Sequence, residues 1–119
     1  MMELVQSLRR VCSHLDDVRG IALVGMDGLV VEELKPDPLV DLSVLAAELS
    51  VTLKSLQEGA VAGGLGQLES IQLGASEGII IVSGIGSEYF LLLVLAPGGN
   101  PGRGRFYLQM EAGRLVSEF

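Results

Sequence analysis

The sequence predicts a single α+β domain of three layers, α/β/α, in which helices cover both faces of a five-stranded antiparallel sheet. Three observations predict it. Apolar residues recur at helical spacing in three separate segments of the chain. Five short apolar or alternating runs lie between these segments, separated by turns or loops that are often rich in glycine. The last two runs are almost wholly apolar, as in strands that are buried on both faces.

Length and composition exclude several classes of protein. The chain has 119 residues, of which 49% are hydrophobic, and a formal net charge of −7. The length fits one domain over residues 1–119, and the hydrophobic content excludes intrinsic disorder. The negative charge argues against binding to nucleic acid or to anionic lipid surfaces. A single cysteine and a single histidine exclude a disulfide framework and a zinc finger.

Neither a membrane span nor a secretion signal is indicated. The longest uncharged stretch runs from Tyr89 to Gly102, and its strongly apolar part ends at Ala96. A spanning helix needs about 20 apolar residues. The N-terminus lacks the charged and then apolar order of a signal peptide. We therefore expect a soluble, cytoplasmic protein without membrane insertion.

The N-terminal half is expected to contain a helix, a hairpin and a second helix. The first helix covers Met2 to Leu15 and has one apolar stripe. Two β-prone runs, Ile21 to Met26 and Leu29 to Leu34, flank Asp27-Gly28, a pair typical of a tight hairpin in which both turn residues have positive φ. The second helix covers Asp41 to Glu58, with the Asp41 side chain as its N-cap.

The second helix has two apolar faces of different width. The wide face is expected to cover the sheet and carries Leu42, Leu45, Ala46, Leu49, Leu53 and Leu56. A narrower stripe of small apolar residues lies on the opposite side, at Val44, Ala47 and Val51. Polar residues next to this stripe include Glu48 and Lys54.

The C-terminal half is expected to contain three strands and a helix. A glycine-rich connector over Gly59 to Gly66 leads into Leu65 to Leu73, whose weak alternation suits an edge strand. The next strands are Ile79 to Val82 and Tyr89 to Leu95. The last helix begins after Asn100, which can cap it, with proline at the first helical position. Its apolar residues at helical spacing are Leu108, Ala112, Leu115 and Phe119.

Residues able to carry catalysis are sparse. His14 lies near the end of the first helix with no nucleophile or acid beside it in the sequence. Cys12 lies beside the apolar stripe of that helix, where a small buried side chain is expected. Gly63-Gly64-Leu65-Gly66 is not followed by Lys-Ser or Lys-Thr and so is no phosphate-binding loop. The sequence therefore predicts no catalytic, cofactor-binding or metal site, and no enzymatic activity.

The surface best suited to function is a protein interface. The small apolar stripe on the second helix would face solvent in a monomer, although burying one valine contributes about 1.5–3 kcal/mol. The edge strand offers a second contact by strand addition, and the two together fit a symmetric homodimer. The alternative is that such scattered apolar residues are ordinary on a protein surface. The predicted interface residues are Val44, Ala47, Glu48, Val51, Lys54, Leu65, Gln67, Glu69 and Ile71.

Three segments resemble the roadblock family, the dynein light-chain and MglB-type modules that bind small Ras-like GTPases. They are VRGIALVGMDGLVV at residues 18–31, the strand pair IIIVSG and YFLLLVL, and NPGRGRFYL from Asn100 onward. The resemblance covers nearly the whole chain and implies a profilin-like roadblock fold. It also implies dimerisation through the central helix and the following strand. In bacterial members of the family, the paired central helices provide the surface on which the GTPase docks.

The function implied by this resemblance is that of a non-enzymatic homodimeric scaffold that binds a small Ras-like GTPase and stimulates its GTP hydrolysis. The six arginines lie in the terminal segments, away from the central helix, so no arginine finger is indicated. Stimulation would therefore act by positioning groups of the partner. Two alternatives remain open at this stage. They are a profilin-like domain that senses a small ligand, and a structural adaptor without a GTPase partner.

Overall fold

The structure, a computed structural model, describes residues 2–118, which form three helices and five strands. In chain order these are α1 (Met2–Ser13), β1 (Val18–Gly25), β2 (Val30–Leu34), α2 (Leu42–Ala62), β3 (Ser70–Ala75), β4 (Gly78–Ile85), β5 (Tyr89–Leu95) and α3 (Pro101–Val116). This sequence of elements confirms the predicted order α-β-β-α-β-β-β-α. None of the described helices is long and apolar enough to cross a membrane.

β5 is the central strand of one antiparallel sheet with the strand order β2-β1-β5-β4-β3. It pairs with β1 on one side and with β4 on the other, and its residues Leu91, Leu92 and Leu93 are completely buried. A strand that is apolar at consecutive positions is stable only where both of its faces are covered. The uninterrupted YFLLLVL segment therefore occupies the middle of the sheet.

The helices form two layers, one on each face of the sheet. α1 and α3 pack on the face that holds Ile21 and Leu23 of β1, and α2 packs on the face that holds Ala22 and Val24. Because side chains alternate along a strand, consecutive residues of β1 contribute to two separate cores. The predicted α/β/α arrangement is therefore confirmed, with both terminal helices on the same side.

Both predicted N-caps form. Asp41 Oδ1 accepts a hydrogen bond from the Val44 backbone N–H at 3.1 Å, where α2 begins. Asn100 Oδ1 accepts one from the Arg103 backbone N–H at 3.0 Å, where α3 begins. Each cap residue has an extended backbone, so its side chain reaches over the first turn and satisfies a donor that the helix leaves unpaired. Pro101 occupies the first helical position, where no hydrogen bond is lost.

The β1–β2 turn differs from the predicted hairpin in its backbone conformation. Positive φ is expected at both Asp27 and Gly28, but only Gly28 has it, at 88°. The Gly28 N–H donates to the Gly25 carbonyl, and the Gly25 N–H donates to the Leu29 carbonyl, both at 2.9 Å. This wider turn leaves the left-handed conformation to glycine alone, which adopts it without steric cost.

α2 continues four residues beyond its predicted end, so the segment Gly59 to Gly66 is not a connector throughout. The helix runs to Ala62, and the Leu65 N–H then donates to the Ala60 carbonyl at 2.8 Å. Gly64 has φ of 85°, and together these features form a Schellman motif. Gly59 lies inside the helix, where a glycine lowers stability by only about 1 kcal/mol and does not end the helix. The left-handed backbone of Gly64 marks the end of α2 instead.

β3 begins later than the predicted edge strand. The segment Leu65 to Leu73 is expected to be a strand, but regular pairing with β4 starts at Ser70. Gly66 has φ of 79°, and the Gln57 side chain of α2 accepts the Leu68 N–H at 2.8 Å, so this part of the chain forms a loop. The edge position of β3 is as predicted. Phe119, the last predicted apolar position of the final helix, lies outside the described residues.

Replacing Gly28 with alanine is expected to lower the free energy of unfolding by about 1–2 kcal/mol. The alanine would be held at φ of 88°, and its Cβ would lie only 3.0 Å from Ser50 Oγ. Urea unfolding followed by circular dichroism measures the change. Gly113→Ala is the matched control in α3, where an added Cβ meets nothing within 4 Å, and it is expected to stabilise the protein by about 1 kcal/mol. Changes of the same sign in the two variants would contradict this account.

An ion pair joins the two terminal helices. Glu111 of α3 is 4% exposed and accepts hydrogen bonds from Arg10 of α1, from Nε at 3.2 Å and from Nη2 at 2.9 Å. Burial alone would raise the pKa of Glu111, but hydrogen bonds from Arg10 and Ser7 lower its pKa overall. The two-point contact therefore sets the position of α1 relative to α3.

Glu111→Gln is expected to lower the free energy of unfolding at neutral pH by about 1 kcal/mol. The loss is small because Arg10 is half-exposed and is hydrated when its charged partner is removed. A carboxyl whose pKa is lower in the folded state stabilises the fold above its unfolded pKa, and this contribution is lost as the pH falls through the folded pKa. The difference between the two proteins should therefore shrink in acid. Urea unfolding at a series of pH values measures it, and a difference independent of pH would argue against the ion pair as its cause.

Candidate protein-binding surface

The outer side of α2 carries an apolar stripe that the described chain does not cover. Val44 is 58% exposed and Val51 is 68% exposed, and Ala47 between them is exposed as well. Residues three and four positions apart are neighbours on a helix, so these side chains form a continuous line about two turns long. Glu48 and Lys54 are exposed beside it. The structure thus brings together all five predicted site residues of the central helix.

The inner side of α2 explains why this stripe faces outward. Leu42, Ala46 and Leu49 are buried in the core between the helix and the sheet, mainly over β1 and β2. Ser50 is 4% exposed, and its hydroxyl donates to the Ala47 carbonyl at 2.9 Å, so the buried polar group has a partner. This buried side fixes the rotation of the helix about its own axis.

The loop that leads into α2 is tied to the sheet. Arg19 Nε of β1 donates to Asp37 Oδ2 at 2.8 Å, and Arg19 Nη1 donates to the Glu77 carbonyl in the turn after β3. The backbone N–H of Leu39 also donates to the Asp37 carboxylate. Hydrogen bonds from Leu39 and Arg19 lower the pKa of Asp37. These contacts connect the start of α2 to the β3–β4 turn.

β3 provides the second part of the surface. It pairs with β4 on one side, and its other side pairs with no strand of the described chain. Because α2 packs mainly over β1 and β2, Leu73 of β3 stays 44% exposed. Ile71 and Ile80 are half-buried against the core on the α2 side. An apolar sheet edge therefore lies on the same face of the sheet as α2.

The predicted edge-strand residues are not all in the strand. Ile71 lies in β3 and packs towards the α2-side core. Leu65, Gln67 and Glu69 lie in the loop between α2 and β3, where all three are exposed, Leu65 to 84%. They are accessible to a partner, but not as part of a paired strand.

Two leucines beside this surface are exposed, although the sequence pattern does not indicate it. Leu73 follows Ile71 by two residues and so shares its side of β3, a relation that strand alternation could have indicated. Leu56 lies on the wide leucine face and is expected to be buried, but it is 44% exposed. Its exposure depends on which strands α2 covers, and no local pattern carries that information.

Solved structures of known proteins share this architecture. A structure described as MglB with tetrameric arrangement has a TM-score of 0.87 and 18% identity, over 98% of this chain and 87% of that one. A gliding protein MglB from Thermus thermophilus has a TM-score of 0.84 and 18% identity, over 95% of this chain and 85% of that one. A Roadblock/LC7 domain from Streptomyces avermitilis has a TM-score of 0.80 and 16% identity, over 92% of both chains. The chain has the roadblock fold. No protein-family model and no curated protein matches the sequence.

The two side chains of this domain that the sequence singles out for their chemistry, Cys12 and His14, both pack against neighbouring groups. Burial raises the pKa of the Cys12 thiol, which is half-buried against the core under α1 and α3 and so stays protonated. His14 is exposed, and its ring stacks on Tyr107 with the centroids 4.2 Å apart. No cluster of three or more His, Cys, Asp or Glu side chains within residues 2–118 could hold a metal ion.

A cleft of about 690 Å³ opens at one end of the roadblock sheet. Its walls include Leu53, Leu68 and Phe90, while Gln57 and Glu69 supply polar groups. The volume lies in the range of about 300–1,000 Å³ that is usual for small-molecule sites. The cleft adjoins the C-terminal half of α2 and therefore borders the protein-binding surface.

Proposed function

We propose that the chain is a non-enzymatic, cytoplasmic scaffold that forms a homodimer, binds a small Ras-like GTPase and stimulates its GTP hydrolysis. The observation that carries this proposal is the exposed stripe of Val44, Ala47 and Val51 on α2, beside the unpaired edge of β3 on a roadblock fold. A contiguous exposed apolar patch with polar residues at its rim is typical of a protein interaction site. The family resemblance implies that the same helix provides the docking surface.

In the proposed homodimer, two copies pair through β3 and α2. Antiparallel pairing of the two β3 strands satisfies the backbone groups at the sheet edge and joins the two sheets into one. The two-fold axis then places both α2 helices on the same face of the joined sheet, where each stripe valine that the partner covers contributes about 1.5–3 kcal/mol. One protein of similar structure is described as MglB with tetrameric arrangement, which supports self-association of this chain.

We place the GTPase on the face of the joined sheet that carries both α2 helices. Glu48 and Lys54 provide one charge of each sign beside the apolar stripe and can orient the partner. Five of the six arginines lie in α1 and α3, on the opposite face of the sheet, and Arg19 is bound to Asp37. We therefore propose that the scaffold orders catalytic groups of the GTPase and supplies none of its own.

Affinity capture tests this proposal. The immobilised protein is mixed with lysate of the source cells in the presence of GDP or of a non-hydrolysable GTP analogue. The expected result is retention of a small GTPase in one nucleotide state only, with faster GTP hydrolysis when the two purified proteins are combined. Val51→Glu should lose the GTPase, whereas Leu39→Glu, at a position 86% exposed in the loop before α2, should retain it.

The other outcomes of the same experiment separate the alternatives. Proteins retained irrespective of the nucleotide, without a GTPase among them, would overturn the proposal in favour of a structural adaptor. Capture that Val51→Glu and Leu39→Glu leave equally strong would overturn the assignment of the site to α2.

The cleft beside α2 supports a second candidate function, the sensing of a small ligand. Its apolar walls and few polar groups are typical of a site that binds a metabolite. A thermal-shift screen with nucleotides and metabolites tests it. Reproducible stabilisation by one compound, abolished by Leu68→Arg in the cleft wall, would favour this function over the GTPase scaffold.

A further inference from the structure

Ser83 is a buried polar residue in a strand that is otherwise apolar. It lies in β4 and is 4% exposed, and the residues two positions before and after it, Ile81 and Ile85, are buried in the core under α1 and α3. Side chains two positions apart in a strand share a face of the sheet. The Ser83 side chain therefore points to the α3 face, where it lines the cleft described above.

The Ser83 hydroxyl has no hydrogen-bond partner among residues 2–118. A hydroxyl that leaves water without gaining a hydrogen bond lowers the stability of the fold. Because Ser83 lines the cleft, a molecule bound there can supply the partner that the described chain does not.

Two further uncharged polar side chains line the cleft on the α3 face. Ser70 of β3 lies directly opposite Ser83 in the strand register, and the Cβ atoms of such cross-strand neighbours are about 4.5–5.5 Å apart. Gln109 belongs to α3. Neither side chain has a hydrogen-bond partner within the described part of the chain. Ser70, Ser83 and Gln109 together form the polar end of the cleft.

The cleft continues around the end of the sheet to the α2 face. The pairing of β4 with β3 ends at Ser83, and Gly84 and Gly86, which follow it, also line the cleft. On the α2 face the walls belong to the core under α2. We call these walls the apolar end of the cleft, formed by Leu53, Leu68 and Phe90.

The charge of the cleft disfavours an anionic ligand. Glu69 is the only charged residue among the described residues that line it, so no lysine, arginine or histidine of that part of the chain does. A phosphate or carboxylate group would enter beside the Glu69 carboxylate without a cation to offset its charge. The ligand that suits this cleft is therefore uncharged.

We infer that the cleft binds an uncharged amphiphile, with a hydroxylated head at the polar end and a hydrocarbon part at the apolar end. Hydroxyl groups donate and accept hydrogen bonds, as do serine hydroxyls and the glutamine amide, so the head can satisfy Ser83 and its neighbours. Gly113 of α3 also lines the cleft, and an added Cβ there would meet nothing within 4 Å. Its missing side chain keeps the space for the ligand open.

This inference rests on the second candidate function proposed above, because it names the class of ligand for the same cleft. It requires neither the α2 dimer nor the GTPase.

Isothermal titration calorimetry of the full chain with monooctanoylglycerol tests the class of ligand. This uncharged ester of glycerol has two free hydroxyl groups and is used below the concentration at which it forms micelles. The expected result is saturable binding to one site. Octanoate has a similar tail and an anionic head, glycerol has the head alone, and each should bind at least about tenfold more weakly. Absence of binding by monooctanoylglycerol, or tighter binding of octanoate, would overturn the inference.

Ser83→Ala tests the role of the buried hydroxyl. Without ligand, this variant should unfold at a higher urea concentration than the wild-type protein, because it loses an unpaired buried group. It should nevertheless bind monooctanoylglycerol about tenfold more weakly, as expected for the loss of one hydrogen bond. Ser76→Ala, at an exposed position in the turn after β3, is the matched control and should change neither result. A lower urea midpoint with unchanged binding would show that an ordered water satisfies Ser83 and that the inference is wrong.

Gly113→Leu tests the position of the ligand. The leucine side chain should fill the cleft beside α3 and abolish binding, while raising the urea midpoint because leucine is the better helix former. Loss of fold then cannot explain the result. Gly59→Leu is the matched control in α2, where an added Cβ also meets nothing within 4 Å, and it should raise the midpoint and retain binding. Equal binding by the two variants would overturn the site.

Failure of this inference is distinguishable from failure of the proposed functions. If an anionic metabolite stabilises the protein and Gly113→Leu abolishes its effect, the ligand-sensing function stands and the uncharged class is wrong. If no compound stabilises the protein, both are wrong. Gly113→Leu leaves the α2 stripe unchanged, so GTPase capture by this variant tests the scaffold function independently of the ligand.

Discussion

Ala47→Arg is expected to abolish both the proposed α2 dimer and GTPase capture while leaving the fold intact. Ala47 is exposed at the centre of the stripe between Val44 and Val51, and arginine is nearly as good a helix former as alanine. In the complex, the same arginine would be buried without a partner. An unpaired buried charge costs about 3–5 kcal/mol, which weakens binding more than about 100-fold.

Three measurements check this result together. Circular dichroism and urea unfolding should match those of the wild-type protein, sedimentation at low concentration should show a monomer, and the nucleotide-dependent GTPase should be lost from the capture. Leu39→Arg adds the same side chain at an exposed position outside the stripe and should change none of the three. An Ala47→Arg protein that dimerises at low concentration and still retains the GTPase would show that the α2 stripe is not the binding surface.

Phe90→Ala is expected to lower the free energy of unfolding by about 3–5 kcal/mol. Phe90 is 1% exposed in the core between α2 and the sheet, and it lies directly opposite Gly84 of β4. Removing the ring takes away its buried apolar surface and leaves a cavity in this core, and both losses destabilise the fold. A domain of this size has a total stability of roughly 5–15 kcal/mol, so the loss is a large fraction of it.

Urea unfolding measures this change, with Phe90→Leu as the control that retains most of the apolar volume. Phe90→Leu is expected to cost well under half as much, because the cavity that remains is smaller. Equal losses in the two variants would show that the aromatic ring contributes through something other than the volume it fills.

Local rules account for the parts of the fold that the sequence predicts well. The caps at Asp41 and Asn100, the helices behind them and the wholly apolar β5 each depend on residues within a few positions of one another. The errors arise where a distant residue competes with a local preference. The strand expected from Leu65 starts only at Ser70, because the Gln57 side chain of α2 binds the Leu68 backbone eleven residues away.

The candidate binding surface likewise has one part that the sequence predicts and one part that it does not. The sequence alone identifies the stripe of Val44, Ala47 and Val51, because helical periodicity separates it from the leucine face. The sequence does not indicate that Leu56 and Leu73 are exposed, since this depends on α2 covering β1 and β2 rather than β3.

The amino-acid sequence by itself determined the number, type and order of the elements, because hydrophobic periodicity, caps and turns act between neighbouring residues. Tertiary structure alone decided the strand order β2-β1-β5-β4-β3 and the ion pair between Arg10 and Glu111, which are 101 residues apart. It also decided which apolar side chains stay uncovered on α2, β3 and α3. These features depend on contacts between distant parts of the chain, whose energies no local pattern contains.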